Sequence, residues 1–266
     1  MVTTGRVSES REVRRSNETL IRYSISGPAE GPTVILVHGW ACSRADFDAL
    51  SGFLPGRYRV IAVDLAEHGE SRSARDDWTI EEFAHDVAEV LDAESVAECV
   101  VVGHSLGGAV AVEVGRLCPG TVRHIVALDA LHYLFLFGAM DQEQAEGLLQ
   151  PLRDDFAGLV RNMVEAGSPP DTDSALKEAH FEKMVAVRQP AGTRAFEGLV
   201  AWDMENALAD VKQPITVFGV RELVTQEALD RFEGRIDVVL VDLGSHHFLV
   251  EAPEGTAELI AGVMSA

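Results

Sequence analysis

The sequence predicts an α/β protein with a mostly parallel, eight-stranded sheet flanked by helices. Short runs of β-branched and apolar residues alternate with segments of helical period, which is the order found in parallel sheets covered by helices. These runs lack strict alternation of polar and apolar residues, which is typical of strands buried on both faces. With 266 residues, 47% of them hydrophobic, the chain is long enough to bury a large core without disulfides or metals.

Six runs are predicted as buried strands, and two weaker runs as an N-terminal hairpin. Thr79 and Glu82 form a capping-box pattern before a helix that ends near Leu91. Pro253 suits the first turn of a last helix. The buried strands are predicted at residues 34–37, 60–63, 99–102, 124–128, 215–218 and 238–241, and the hairpin strands at residues 12–15 and 19–24.

One region of the chain interrupts the alternation of strands and helices. No convincing strand is visible from about residue 130 to residue 206, and apolar side chains between residues 156 and 164 follow the spacing of an amphipathic helix. We therefore predict a helical lid at residues 131–206, inserted after the sixth strand. Residues 1–130 and 207–266 are predicted to form the core of a single catalytic domain.

Charge and cysteine content exclude several classes of protein. Lys and Arg number 22 and Asp and Glu number 43, so the formal net charge is −21. Such a field repels nucleic acid and anionic membranes. The three cysteines lack the spacing of a disulfide framework or a structural zinc site, which favours a reducing compartment. We expect a cytoplasmic protein that needs no metal or cofactor and acts on a small molecule; the oligomeric state stays open.

The N-terminal segment and the apolar runs support the same localisation. Residues 1–15 are polar and charged and lack the apolar centre of a signal peptide. The most apolar run, near residues 134–137, is far too short to span a bilayer.

The strongest chemical signal is the sequence Gly-His-Ser-Leu-Gly at residues 103–107. It fits G-x-S-x-G directly after a predicted strand and before a helix of small residues, which is the setting of a nucleophile elbow. The elbow predicts Ser105 as a nucleophile. A serine hydroxyl needs a base to take its proton, and His246 and His247 lie late in the chain, directly after the last predicted strand.

The segment from residue 244 to residue 254 makes the chain resemble the α/β-hydrolase fold family, and the resemblance covers nearly the whole length. The late pattern of that family, G-x-x-H-F followed by E-x-P-E, implies that His247 is the base and that His246 is a loop residue. His-Gly-Trp at residues 38–40 resembles the H-G-x turn of the family. This likeness implies an oxyanion hole formed by the backbone N–H groups of Trp40 and Leu106.

The acid that orients the base has two candidates. The usual place in the family, after the seventh strand, holds Glu222. The other place, after the sixth strand, holds Asp129, which begins a D-x-L-H sequence similar to that of a subgroup with a charged helical lid. Both choices keep the chain order serine, acid, histidine. We favour Asp129 and keep Glu222 as the alternative.

Aromatic residues near these motifs are the candidates for substrate contacts. Phe135 and Phe137 belong to an apolar stretch after the sixth strand, and Trp40 and Phe248 flank the expected oxyanion turn and base. All four are expected to line an acyl pocket.

The resemblance implies a serine hydrolase that cleaves small or medium carboxylic esters. Lactones and thioesters react by the same acyl chemistry. Two further alternatives stay open on this fold: a cofactor-free dioxygenase and a receptor-like protein that binds a lactone.

Overall fold

The structure is a computed structural model that describes residues 7–138 and 140–265. Within these residues the chain forms an eight-stranded sheet in the order β1-β2-β4-β3-β5-β6-β7-β8. The first two strands pair antiparallel, β2 pairs antiparallel with β4, and the pairs from β4 to β8 are parallel. The strands are β1 Ser8–Arg14, β2 Leu20–Ser26, β3 Thr33–Val37, β4 Arg59–Val63, β5 Cys99–His104, β6 Val122–Leu128, β7 Ile215–Val220 and β8 Asp237–Val241.

The predicted fold class is confirmed, with boundaries that shift by a few residues. The largest shift is in β1, which begins at Ser8 rather than at residue 12 because it pairs along its whole length with β2. The helices are α1 Asp48–Phe53, α2 Ile80–Ala93, α3 Leu106–Leu117, α4 Leu134–Phe137, α5 Gln142–Asp154, α6 Phe156–Ala166, α7 Ser174–Val185, α8 Ala191–Ala201, α9 Met204–Asp210, α10 Gln226–Phe232, α11 Phe248–Glu251 and α12 Pro253–Val263.

Both faces of the sheet are covered. Successive residues of β3 belong to different apolar clusters: Val34 and Leu36 face one side, and Ile35 and Val37 face the other. This is why the central strands show no polar and apolar alternation. The parallel arrangement also brings the carboxyl ends of β3, β5, β6 and β7 to one edge of the sheet, where ligands bind in open α/β folds.

Helices α4 to α9 lie between β6 and β7, and we call them the β6–β7 helices. Helices α4 to α8 fall within residues 131–206, whereas α9 runs past residue 206. Side-chain contacts tie them to the core: Trp202 Nε1 donates to Glu113 Oε1 at 2.6 Å, and Arg188 Nε donates to Glu67 Oε2 at 2.9 Å. Among the helices of the described residues, none is both long and apolar enough to cross a membrane.

Candidate active site

Ser105 lies on a sharp turn between β5 and α3. Its dihedrals are φ 52° and ψ −121°, a strained combination for a residue with a Cβ atom. The neighbouring glycines make the turn possible: a Cβ atom on Gly103 would lie 1.9 Å from the Gly107 carbonyl oxygen, and one on Gly107 would lie 2.3 Å from that of Val37. The backbone N–H of Ser105 donates to Leu128 O at 3.1 Å. The turn therefore holds the hydroxyl at the carboxyl edge of the sheet.

The His-Gly-Trp turn after β3 contacts this elbow. A Cβ atom on Gly39 would lie 2.9 Å from His104 Nδ1 and 3.0 Å from the Cβ atom of Ser105, so glycine gives the two turns the room that they need. His38 braces the turn: its Nδ1 lies 2.7 Å from Gly39 O, and its Nε2 accepts from Leu65 N at 3.0 Å. Leu106 begins α3, where the first N–H groups of a helix have no partner within the helix.

A buried carboxylate lies at the end of β6. Asp129 Oδ1 accepts from the backbone N–H of Val220 at 2.8 Å and lies 2.9 Å from His132 Nε2. Asp129 Oδ2 lies 2.7 Å from His246 Nδ1 and accepts a short hydrogen bond from the Tyr133 hydroxyl. Each carboxylate oxygen therefore has two hydrogen-bond partners, and these partners come from three separate segments of the chain.

This network sets the charge state of its members. Burial alone would raise the pKa of Asp129, but the hydrogen bonds from His132 and His246 outweigh it and hold that pKa below its usual range. Burial, and then the nearby Asp129 charge, raise the pKa of Tyr133 well above its ordinary value. Near neutral pH the carboxylate is therefore ionised and the phenol is a hydrogen-bond donor.

Contacts on every side fix the loop that carries His246. Its backbone N–H donates to Gly167 O at 2.7 Å, and its carbonyl accepts from His104 Nε2 at 2.9 Å. One residue earlier, the Ser245 backbone N–H and hydroxyl donate to Glu251 at 2.8 and 2.7 Å. These contacts aim the His246 ring at Asp129 and leave 18% of its side chain exposed.

His247 occupies a different environment. Its ring stacks on that of His180 with centroids 4.0 Å apart, and its Nδ1 is buried without a hydrogen-bond partner. The residue is 4% exposed, and this burial lowers the pKa of His247 well below its ordinary value. The structure therefore differs from the expectation for this loop: the histidine in contact with Asp129 is His246.

Glu222, the alternative acid, lies exposed to solvent in the turn after β7. Of the two candidates, Asp129 is the one that contacts a histidine of the late loop. The pairing of β6 with β7 explains the position of Asp129. Its backbone N–H donates to Phe218 O at 2.8 Å, which places the Asp129 side chain beside the end of β7.

A mostly apolar cavity of about 280 Å³ adjoins the elbow. Ser105, His246 and His247 line it together with side chains of the β6–β7 helices. Trp40 also lines it and is fixed by a hydrogen bond from its Nε1 to Gly192 O at 2.6 Å. The remaining lining residues are Gly39, Cys42, His104, Tyr133, Phe135, Leu136, Leu148, Leu159, Asn162, Met163, Val164, Ala166, Gly167, Met184, Phe196 and Leu199.

Two of the four expected pocket residues lie elsewhere. Trp40 and Phe135 line the cavity, although 66% of Phe135 is exposed. In the described part of the chain Phe137 is not among the lining residues; it is buried against Trp202, with ring centroids 6.4 Å apart. Phe248 is also absent from the lining, because α11 turns it into the apolar cluster on the other face of the sheet. Phe137 and Phe248 therefore lie outside the lining of this cavity, and their expected substrate contacts find no support there.

The sequence placed Tyr133 only in the apolar stretch after the sixth strand, with no contact to the acid, and His246 was expected to be a loop residue. Only the spacing of Tyr133, four residues after Asp129, hinted at a contact through one tight turn. The late pattern favoured His247, because the pattern does not show the contacts with Gly167 and His104 that hold the His246 loop.

The strand order and the strained serine turn define the class of α/β hydrolases. The chain belongs to this family: the profile of the alpha/beta hydrolase family matches residues 34–259. A non-heme chloroperoxidase of Streptomyces lividans is 38% identical over 156 residues, which is 58% of this chain and 55% of the relative.

Two further proteins illustrate the range of relatives. A bifunctional esterase/perhydrolase of Acinetobacter calcoaceticus is 34% identical over 138 residues, 51% of this chain and 49% of the relative. The chain thus spans about half the length of these two curated relatives. The crystal structure of a hydrolase from Pseudomonas aeruginosa superposes with a TM-score of 0.82, covering 97% of this chain and 99% of that one at 19% identity. The last likeness shows the fold alone.

The close approach of β3 and α3 gives a stability prediction. Gly107→Ala is expected to lower the free energy of unfolding by about 1–3 kcal/mol, because the new methyl group meets backbone carbonyls that cannot move aside. Gly147→Ala is the matched control: a Cβ atom there meets open space within α5, so up to about 1 kcal/mol of stabilisation is expected. Urea unfolding measures both, and equal effects would contradict the packing.

Proposed function

We propose that the protein is a serine hydrolase that cleaves small or medium uncharged carboxylic esters through an acyl-enzyme. The observation that carries the proposal is the Asp129–His246 contact of 2.7 Å beside a cavity that also holds Ser105 on its strained turn. Nucleophile, base and acid then follow the chain order of an α/β hydrolase, with Asp129 after Ser105 and His246 last.

His246 is the proposed base. Its Nδ1 is held by the Asp129 carboxylate, so the neutral ring carries its proton there and presents a free lone pair on Nε2. That nitrogen takes the Ser105 proton as the hydroxyl attacks the ester carbonyl, and later returns it to the leaving alcohol. Water then attacks the acyl-enzyme with the same assistance. His247 is less suited to this role, because its ring is buried and lacks a carboxylate partner.

Asp129 is the proposed acid of the triad. It fixes the tautomer of His246 and stabilises the imidazolium that forms as Ser105 loses its proton. The other hydrogen bonds to Asp129 keep it ionised, as its lowered pKa indicates. We propose no such role for Glu222, which is solvent-exposed.

The oxyanion of the tetrahedral intermediate is proposed to be bound by the backbone N–H groups of Trp40 and Leu106. Support comes from the close approach of the Gly39 turn to Ser105, because Trp40 directly follows Gly39 and Leu106 directly follows Ser105. One such donor contributes about 2.7–4 kcal/mol to transition-state stabilisation in other serine hydrolases.

The cavity supports this class of substrate. Its walls are mainly Leu, Met, Val and aromatic side chains, with Asn162 as a neutral polar group. A cavity of about 280 Å³ suits a short or medium apolar acyl or alcohol group, and a charged group inside it would lose its hydration. The esterase named among the relatives agrees with this chemistry.

Ser105→Ala is expected to lower kcat for an ester such as p-nitrophenyl butyrate by roughly 10⁶-fold, the loss seen when a serine protease loses its nucleophile. Intact-mass analysis after treatment with a fluorophosphonate is expected to show one adduct on the wild-type protein and none on the variant. A folded wild-type protein that forms no adduct would contradict an activated serine.

The two adjacent histidines give a matched pair. His246→Ala is expected to lower kcat by at least roughly 10²–10⁴-fold, because the base is lost. His247→Ala removes a ring of the cavity wall that has no carboxylate partner and is expected to have a much smaller effect. Steady-state kinetics on variants with unchanged circular dichroism measures the difference, and the reverse order would assign the base to His247.

The two carboxyl groups are tested in the same way. Asp129→Asn is expected to lower kcat by about 10⁴-fold, as the equivalent change does in a serine protease, because an amide stabilises the wrong tautomer of His246. Glu222→Gln changes an exposed side chain and is expected to leave kcat near the wild-type value. A strong effect of Glu222→Gln with a mild effect of Asp129→Asn would overturn the assignment.

A further inference from the structure

The wall of the cavity holds a second group of side chains that the proposed triad does not use. Cys42, His104 and His247 each offer one ligand atom, and these atoms all lie within 4.8 Å of one another. All three residues are buried and line the same cavity as Ser105. They come from the turn after β3, the end of β5 and the loop before α11, so their separation along the chain hides the cluster from sequence patterns.

The two histidines have nitrogen atoms available for a ligand. His104 Nε2 lies 2.9 Å from the His246 carbonyl oxygen, which only accepts, so Nε2 carries the proton. Burial lowers the pKa of His104 well below its ordinary value, so the ring is neutral and its Nδ1 keeps a free lone pair. His247 Nδ1 is buried without a partner, which is costly for a polar atom unless a ligand satisfies it.

Cys42 supplies a soft sulfur ligand. Burial raises the pKa of its thiol to about 12, so the free protein holds it neutral, and a bound cation would displace the proton. Lys183 is a positive group that acts on both Cys42 and His247. Its charge is partly offset by Asp46, whose Oδ1 lies 2.9 Å from Lys183 Nζ.

We propose that Cys42, His104 and His247 bind a thiophilic divalent cation such as Zn²⁺, with the fourth coordination position open to the cavity. One thiolate and two imidazoles are a donor set typical of zinc, and three protein ligands leave one position for water or substrate. Ligand atoms around tetrahedral zinc lie roughly 3.4–3.7 Å apart, so the side chains close by at most about 1 Å on binding.

The site has a consequence for activity. A cation there occupies the cavity wall next to His104 and the Ser105 turn, so it obstructs the approach of a substrate. Zn²⁺ is therefore expected to inhibit the protein reversibly, with recovery in EDTA. The inhibition rests on the proposed hydrolase function, whereas metal binding does not.

Binding is tested first, without any assay of activity. Three proteins are compared: the wild-type protein, Cys42→Ser and the control Cys118→Ser. Each is treated with EDTA to remove bound metal and is then desalted. Zn²⁺ binding is measured by calorimetry and Co²⁺ binding by absorption spectroscopy. Cys118 is a free, half-buried cysteine outside the cavity. One equivalent of Zn²⁺ and a thiolate-to-cobalt charge-transfer band are expected for the wild-type protein and Cys118→Ser. Cys42→Ser is expected to lose the band and to bind Zn²⁺ at least about 100-fold more weakly.

Three outcomes would overturn the site: no binding of Zn²⁺ to the wild-type protein, equal affinity in Cys42→Ser, or a cobalt spectrum without a sulfur band. If Cys42→Ser does not fold, His247→Gln takes its place and is also expected to lose affinity. Inhibition of p-nitrophenyl butyrate hydrolysis by Zn²⁺ is then measured on the wild-type protein and Cys118→Ser. An inactive protein that binds Zn²⁺ would refute the proposed function and leave the metal site intact.

Discussion

The buried carboxylate of Asp129 is the interaction on which the arrangement of the site depends. A carboxylate removed from water is costly unless each oxygen receives hydrogen bonds. Here the donors come from β7 through Val220, from the start of the β6–β7 helices through His132 and Tyr133, and from the late loop through His246. Satisfying this single charge therefore holds three separate segments at the same edge of the sheet.

The strained turns around Ser105 complement this network. Ser105 and Asp129 both have positive φ, 52° and 45°, and Ala41 in the neighbouring turn has φ 57°. Such conformations persist only where the surrounding structure holds them, and they concentrate at functional sites. Gly103 and Gly107 let backbone approach backbone beside these turns, and Gly39 leaves room for the side chains of His104 and Ser105. The rigid sheet thus fixes Ser105, and the carboxylate network fixes His246.

Local patterns were enough to predict the parts of the fold that depend on nearby residues. The buried strands and the elbow at Ser105 follow from runs of apolar residues and from glycine spacing, which act over a few residues. The choice between His246 and His247 depends instead on distant contacts, with Gly167 and His104. Phe248 likewise looked like a pocket residue by its position in the sequence, but the turn into α11 buries it on the other face of the sheet. The cluster of Cys42 with two histidines exists only in three dimensions.

The most direct test of the Ser105–His246–Asp129 assignment is a crystal structure of the protein after reaction with a fluorophosphonate. We expect the phosphonate on Ser105 Oγ, its oxygen bound by the N–H groups of Trp40 and Leu106, and His246 Nε2 within about 3 Å of the adduct. His246 Nδ1 is expected to remain on Asp129. An adduct approached by His247, with His246 turned away, would contradict the assignment.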